Sequence, residues 1–217
     1  MTEKELKAIA AQLSCPTGDS GLEIAEKMNQ TNSGMISNTI DQLNLKPNDH
    51  VLELGHGNAS HLREIFTKTT DLLYTGLEIS DSMKDESEKL NKEWVDKKKA
   101  EFTLYDGCTL PFSENCFDKI MTVNTLYFWE KPVELLKEIY KVLKIDGMAC
   151  ITFADINFMK TLPFVDTRFE LYDVEKFKNL AKEIPFKSIV AVEKNEIVES
   201  KAGDTVNRKY LIMKLTK

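Results

Sequence analysis

The sequence predicts an α/β fold, a doubly wound, mostly parallel seven-stranded sheet with an N-terminal helical cap. Three observations predict it. From Val51 onward, short apolar runs alternate with amphipathic stretches, the pattern of a parallel sheet covered by helices. The first of these runs ends in Gly55-His56-Gly57, a strand-to-helix turn. The last two runs are joined by too few residues for a helical crossover and must pair antiparallel.

Thr2-x-x-Glu5 has the form of a capping box, and Leu6, Ile9, Ala10 and Leu13 follow at helical spacing until Pro16 and Gly18. A second helix is expected over Gly21 to Met28, and a third over Ser33 to Leu43 with Ile36, Ile40 and Leu43 on one side. Residues 1–45 therefore form a cap that precedes any strand, and residues 46–217 form the main domain. Pro47-Asn48-Asp49 is a turn, and Val51 to Leu54 is the first strand. A helix follows from about Ala59 to Lys68, then a strand over Leu72 to Ile79. Asp81 can cap one long charged helix reaching about Lys98. Phe102 to Tyr105 and Phe117 to Val123 are the third and fourth strands.

Pro132 suits the first turn of a helix whose apolar face is Val133, Leu136, Ile139, Tyr140 and Leu143. Met148 to Phe153 is the fifth strand. The aromatic-rich stretch Asp155 to Tyr172 breaks the alternation and is expected to be a lid insertion. A helix over Val174 to Lys182 precedes the final pair, Ser188 to Val192 and Lys209 to Leu215, with Gly203-Asp204 in the polar loop between them.

A chain of 217 residues suits one domain with a full core. Its net charge of −6 argues against a nucleic-acid partner, which would call for a basic surplus, and its lysines are interleaved with acids. No apolar run approaches the roughly 20 residues of a membrane span. The N-terminus has neither the pattern of a signal peptide nor that of a transit peptide, so a cytoplasmic location is expected. Cys15, Cys108, Cys116 and Cys150 form no CxxC pair and have no histidine cluster beside them, so no metal site is expected and the thiols are read as reduced.

The chemistry-bearing residues fall at strand ends. Gly55-His56-Gly57-Asn58 can bring backbone amides close to a ligand at a helix N-terminus, although an ordinary tight turn has the same composition. Glu78 lies 23 residues after Gly55, where an acid can accept from both hydroxyls of a ribose, whether nicotinamide or adenosyl, or can simply face solvent. Asp106-Gly107-Cys108 ends the third strand and Asn124-Thr125-Leu126-Tyr127 the fourth.

Val51 to Asn58, Leu77 to Met83, Asp106-Gly107, Leu110-Pro111-Phe112 with Phe117-Asp118, and Leu143 to Gly147 together resemble the ordered motifs of class I S-adenosylmethionine-dependent methyltransferases. The nearest likeness is to the small-molecule group that includes ubiquinone and menaquinone biosynthesis enzymes, and it covers about residues 45–155. The resemblance implies strand order 3-2-1-4-5-7-6 with an antiparallel last strand, and S-adenosylmethionine as cofactor. It implies that Glu53, Gly55, Gly57 and Asn58 line the methionine part, that Glu78 binds ribose, and that Ile79 and Met83 pack on the adenine. Asp106, with Gly107, would accept from the adenine amino group while the Cys108 amide reaches the ring, and Asn124 and Thr125 would contact the methionyl amine. Two positions depart from the family pattern: Asn58-Ala59 stands where a third glycine is common, and Ile145-Asp146-Gly147 where Pro-Gly-Gly is common.

The reaction needs chiefly alignment, with a base where the acceptor must lose a proton. His56 and Tyr127 are the catalytic candidates, with His61 and Asp155 behind them, and each is also readable as packing or capping. Met28-Asn29-x-x-Asn32 is either part of a cover over the cofactor or a turn between helices. Tyr127-Phe128-Trp129 with Phe158, Phe164 and Phe169 could wall a pocket for a small, partly apolar or aromatic acceptor. A nicotinamide-dependent oxidoreductase is an alternative, opposed by Ser60 at the third-glycine position, and a non-catalytic cofactor-binding protein is another.

Overall fold

Val51, Leu52 and Leu54 are fully buried on both sides of strand β1 (His50–Leu54), so the run reads as continuous rather than alternating hydrophobicity. A computed structural model describes residues 1–199 and 205–217 of the chain. In it, β1 pairs in parallel with β2 (Leu73–Glu78) on one side and with β4 (Phe117–Val123) on the other. β3 (Ala100–Leu104) extends the sheet beyond β2, and β5 (Leu143–Ala154) lies beyond β4. The sheet has seven strands in the order β3-β2-β1-β4-β5-β7-β6, as the family resemblance implied. β7 (Thr205–Thr216) is antiparallel to both β5 and β6 (Ser188–Glu199). The order reverses between β1 and β4, so the carboxyl ends of β1, β2 and β4 open a crevice there.

Alternate residues feed two cores. Leu52, Leu54, Leu77 and Ile120 meet Leu136 and Ile139 of α6 (Pro132–Val142) and Phe177 of α8 (Val174–Ala181). Val51, Tyr74, Phe102 and Met121 face the other way, toward Met35 and Ile40 of α2 (Gly18–Gln42) and Leu62 and Ile65 of α3 (Leu62–Lys68). The capping box of α1 (Glu3–Ser14) forms as expected: Glu5 N–H donates to Thr2 Oγ1, and Thr2 N–H to Glu5.

Several boundaries differ from the sequence reading. The two expected helices over Gly21–Met28 and Ser33–Leu43 are one 25-residue helix, α2. The polar stretch between them, residues 29–32, is tied to distant elements: Asn29 Nδ2 donates to Asn58 Oδ1, and Asn32 Oδ1 accepts from Arg208 Nη1. Thr31 Oγ1 donates to Lys27 O, Ser33 Oγ to Gln30 O, and Asn38 Nδ2 to Gly34 O. The single helix expected from Asp81 to Lys98 is instead two, α4 (Asp81–Leu90) and α5 (Lys92–Asp96). Asn91 breaks it by donating to Ala59 O and Ser87 O. The helix expected from Ala59 begins at Leu62, because Ala59 takes a left-handed φ of 49°. Residues 155–172, expected to be a lid insertion, contain a short helix, α7 (Ile156–Met159). β6 and β7 run well beyond the expected ends, and Gly203-Asp204 lies outside the described residues. No helix among the described residues is long and apolar enough to cross a membrane.

Phe177 pins α8 to the sheet: it is fully buried and stacks on Phe153 of β5, with ring centroids 5.8 Å apart. Phe177→Ala is expected to cost about 3–5 kcal/mol of stability. In urea titrations the midpoint should fall with little change in slope, as for a lost core contact in an otherwise unchanged fold.

Candidate functional site

The turn after β1 is built on left-handed backbone. Gly55 has φ 68° and Gly57 φ 58°. A Cβ on Gly55 would lie 2.5 Å from Thr125 Cγ2, so the loop and the end of β4 approach more closely than any side chain permits. At Gly57 nothing lies within 4 Å of the Cβ position, which leaves that backbone open. Asn58 turns back toward the N-terminal helices: its Oδ1 accepts from Asn29 Nδ2 at 2.8 Å.

Glu78 is buried at the end of β2 and clasps this turn. One carboxylate oxygen accepts from Gly57 N–H at 2.9 Å and the other from the Ile79 and Ser80 amides at 2.8 and 3.1 Å. Burial pushes its carboxyl above the ordinary value, against the pull of the Ser80, Gly57 and Ile79 amides. Ile79 stands exposed beside it. Met83 is fully buried and does not line the crevice. Asp106 is exposed, and its Oδ1 accepts from the Thr109 and Cys108 amides at 2.6 and 2.8 Å, which hold its carboxyl below the usual range. The Cys108 amide, expected to reach a ring, is thus engaged by Asp106; the turn itself satisfies it.

Beneath the glycine loop sits a buried polar cluster. Glu53 Oε2 accepts from Tyr74 Oη at 2.7 Å and pairs with His61 Nε2 at 2.8 Å. Burial alone would push the Glu53 carboxyl up, but the charge and hydrogen bond of His61, with the Tyr74 hydroxyl, outweigh it and hold it down. Burial pulls His61 down, and Glu53 outweighs that to raise it. His56 is buried edge-on against Phe102, and its Nδ1 faces Gly57 O at 2.7 Å. Its ring fills the space that a Cβ on Gly76 would take. Nε2 is the one buried side-chain polar atom without a partner among the described residues.

At the end of β4, Asn124 adopts a left-handed φ of 59° and its Oδ1 accepts from Tyr127 Oη at 3.1 Å. Thr125 Oγ1 meets Thr122 Oγ1 and accepts from Trp129 Nε1 at 3.1 Å. Tyr127 Oη also accepts from Ala154 N–H at 2.6 Å, and burial pushes its hydroxyl well up. That hydroxyl is committed to joining β4 and β5, which leaves it poorly suited to take a proton. Asp155, the remaining acid, caps α7 through Asn157 N–H.

These parts border a crevice of about 150 Å³ lined by Glu53, Gly55, Gly57, Glu78, Ile79, Gly107, Asn124 and Thr125, among others. Asn58, Met83, Asp106 and Cys108, also expected at the site, lie outside its wall. Residues that sequence reasoning did not single out complete it: Leu13, Pro16 and Tyr105. Leu13 and Pro16 carried no signal beyond ordinary helix packing and helix termination. Beside the crevice lies an apolar cavity of about 360 Å³ with Phe128, Phe158, Phe164 and Phe169 in its wall. Leu13, Met28, Asn32, Asn124 and Phe128 border both spaces. No group of three or more potential metal ligands occurs among the described residues. The crevice suits an adenosyl amino acid: an open glycine backbone, a buried acid at the second strand end, and an exposed apolar Ile79 for a flat ring.

Burial depresses the His56 ring from 6.5 to about 4, so folding favours its neutral form. The stability it contributes is present above its unfolded value and is lost as pH falls from about 6.5 toward 4. The loss is on the order of 3 kcal/mol. Denaturation midpoints at pH 7 and pH 5 should therefore differ in the native chain, and His56→Leu should reduce that difference.

Comparison with known proteins agrees with this geometry. A family profile described as "Methyltransferase domain" matches residues 52–151, from β1 to β5. The uncharacterized methyltransferase YdaC of Bacillus subtilis is 29% identical over 158 residues, covering 67% of this chain and 84% of that protein. Cycloartenol-C-24-methyltransferase 1 of Oryza sativa is 34% identical over 103 residues, which is 48% of this chain but only 30% of that enzyme. A SAM-dependent methyltransferase structure from Methanosarcina mazei shares the fold with a TM-score of 0.64 at 18% identity, over 82% of this chain and 96% of that one. Neither the oxidoreductase nor the non-catalytic reading gains support from these likenesses. With the strand order, the glycine turn and the acid at the end of β2 all in place, the chain has the fold of the class I S-adenosylmethionine-dependent methyltransferases, and its residues 52–151 match a methyltransferase domain.

Proposed function

We propose that the enzyme methylates a small-molecule acceptor seated in the apolar cavity beside the cofactor crevice. The observation that carries this reading is the shared wall. Leu13, Met28, Asn32, Asn124 and Phe128 border both spaces, so the two adjoin across these side chains. When bound, S-adenosylmethionine supplies an electrophilic methyl group on a sulfonium. In this reading the Gly55–Gly57 backbone and the Asn124–Thr125 segment hold its methionine end, Glu78 accepts from the ribose hydroxyls, and Ile79 lies against the adenine. In the same reading Asp106, whose Oδ1 is engaged by the Cys108 and Thr109 amides, accepts from the adenine amino group through its second oxygen.

The chain's own contribution is then alignment and exclusion of water. His56, neutral and held near pKa 4, is a weak base at neutral pH, and the Tyr127 hydroxyl is internally bonded. Both support the loop and strand ends rather than moving a proton. The acceptor cavity is walled by aromatic and aliphatic side chains, which favours a partly apolar or aromatic molecule.

Two measurements test the reading. Glu78→Ala should weaken S-adenosylhomocysteine binding by roughly 1.5–3 kcal/mol in calorimetry, the scale of a charged hydrogen bond. Unchanged affinity would remove Glu78 from the ribose site. The crevice is also roofed by Leu13, Ser14, Pro16, Met28 and Asn29, and a space of about 150 Å³ requires that roof to lift for a nucleoside-sized ligand to enter. Hydrogen exchange with and without S-adenosylhomocysteine should show protection gained over residues 18–35 and 155–172. Protection confined to Gly55, Glu78 and Asp106 would make these segments static walls.

A further inference from the structure

The wall of the apolar cavity contains a single charged side chain among the described residues, Arg208 of β7. It is only 6% exposed. Nε and Nη2 donate to Glu196 Oε1 at 2.9 and 2.7 Å, Nη2 also donates to Thr31 O, and Nη1 donates to Asn32 Oδ1 at 3.2 Å. A guanidinium has five N–H protons. Four are placed by these bonds, and one on Nη1 has no partner among the described residues. A buried donor left without a partner is costly, and it sits at a ligand cavity.

The position of this donor is as informative as its presence. Nη1 bonds to Asn32, and Asn32 borders both the apolar cavity and the cofactor crevice. The unmet N–H therefore lies near the threshold that the methyl group must cross. The charge there is already balanced, since Glu196 lies 2.7 Å from Arg208. A carboxylate entering the cavity would lose its hydration and find the guanidinium already paired. An ammonium would lose its hydration in a cavity whose wall holds no carboxylate among the described residues. An uncharged carbonyl or hydroxyl oxygen can accept the remaining N–H without desolvating a charge.

Resting on the methyl-transfer reading above, we infer that the acceptor is an uncharged, mainly apolar molecule whose carbonyl or hydroxyl oxygen binds Arg208 Nη1 at the end nearest the cofactor. Arg208 thereby becomes a specificity residue, and the phenylalanines of the cavity hold the apolar body.

The test uses the full chain saturated with S-adenosylhomocysteine and four probes of one shape: acetonaphthone, ethylnaphthalene, naphthoate and naphthylmethylammonium. Dissociation constants are read by fluorescence. Acetonaphthone should bind more tightly than naphthoate and naphthylmethylammonium. Arg208→Met should weaken acetonaphthone about 5- to 10-fold, the usual scale of one hydrogen bond, and leave ethylnaphthalene within about twofold. Should that variant fail to fold, Arg208→Met with Glu196→Met removes the unpaired acid and permits the same comparison. Tighter binding of either charged probe, equal loss of acetonaphthone and ethylnaphthalene, or no binding of any probe while S-adenosylhomocysteine still binds would overturn the inference. Loss of S-adenosylhomocysteine binding in the native chain would instead count against the cofactor reading itself.

Discussion

Everything at the crevice rests on one buried carboxylate. Glu53 is nearly inaccessible in the middle of the sheet, where an unpaired charge would cost several kcal/mol. Its two partners come from different elements: Tyr74 from β2, and His61 at the start of α3. Satisfying Glu53 therefore fixes where β2 lies against β1 and where α3 begins. The glycine turn between β1 and α3 is stretched between those fixed points. Its left-handed residues are the backbone's way of spanning that short distance, and they leave Gly57 open toward the crevice.

Glu78 performs a related task one strand over. By accepting from Gly57, Ile79 and Ser80 it joins the turn after β1 to the turn after β2. A carboxylate held by three amides is preorganised, so little reordering is needed when its remaining lone pairs meet a ligand. The sequence shows an acid at that position but not that it already holds the loop together.

Helix α2 connects the two spaces. Asn29 bonds to Asn58 of the glycine turn, and Asn32, one turn further along the same helix face, bonds to Arg208 of the terminal hairpin. A displacement of α2 thus acts on the cofactor crevice and the apolar cavity together. Asn29 and Asn32 are part of a continuous helix rather than of a turn between two.

The sequence by itself determined the sheet. Buried runs such as Val51–Leu54 and Phe117–Val123 name their own strands, and the short final connection imposes antiparallel pairing because no helix fits in it. Gly55, Gly57 and Glu78 were legible because their chemistry is local, a backbone conformation and a strand-end acid at a set distance from the turn. The tertiary structure alone decided what depends on distant partners. It made one helix of α2, where Asn29 and Asn32 bond to Asn58 and Arg208, and two of the stretch after Asp81, where Asn91 reaches Ala59. It buried His56 against Phe102 and committed the Tyr127 hydroxyl to Ala154. It also brought Arg208 to Asn32 across 176 residues of chain, a contact that no local pattern encodes because it exists only once the hairpin has packed on α2.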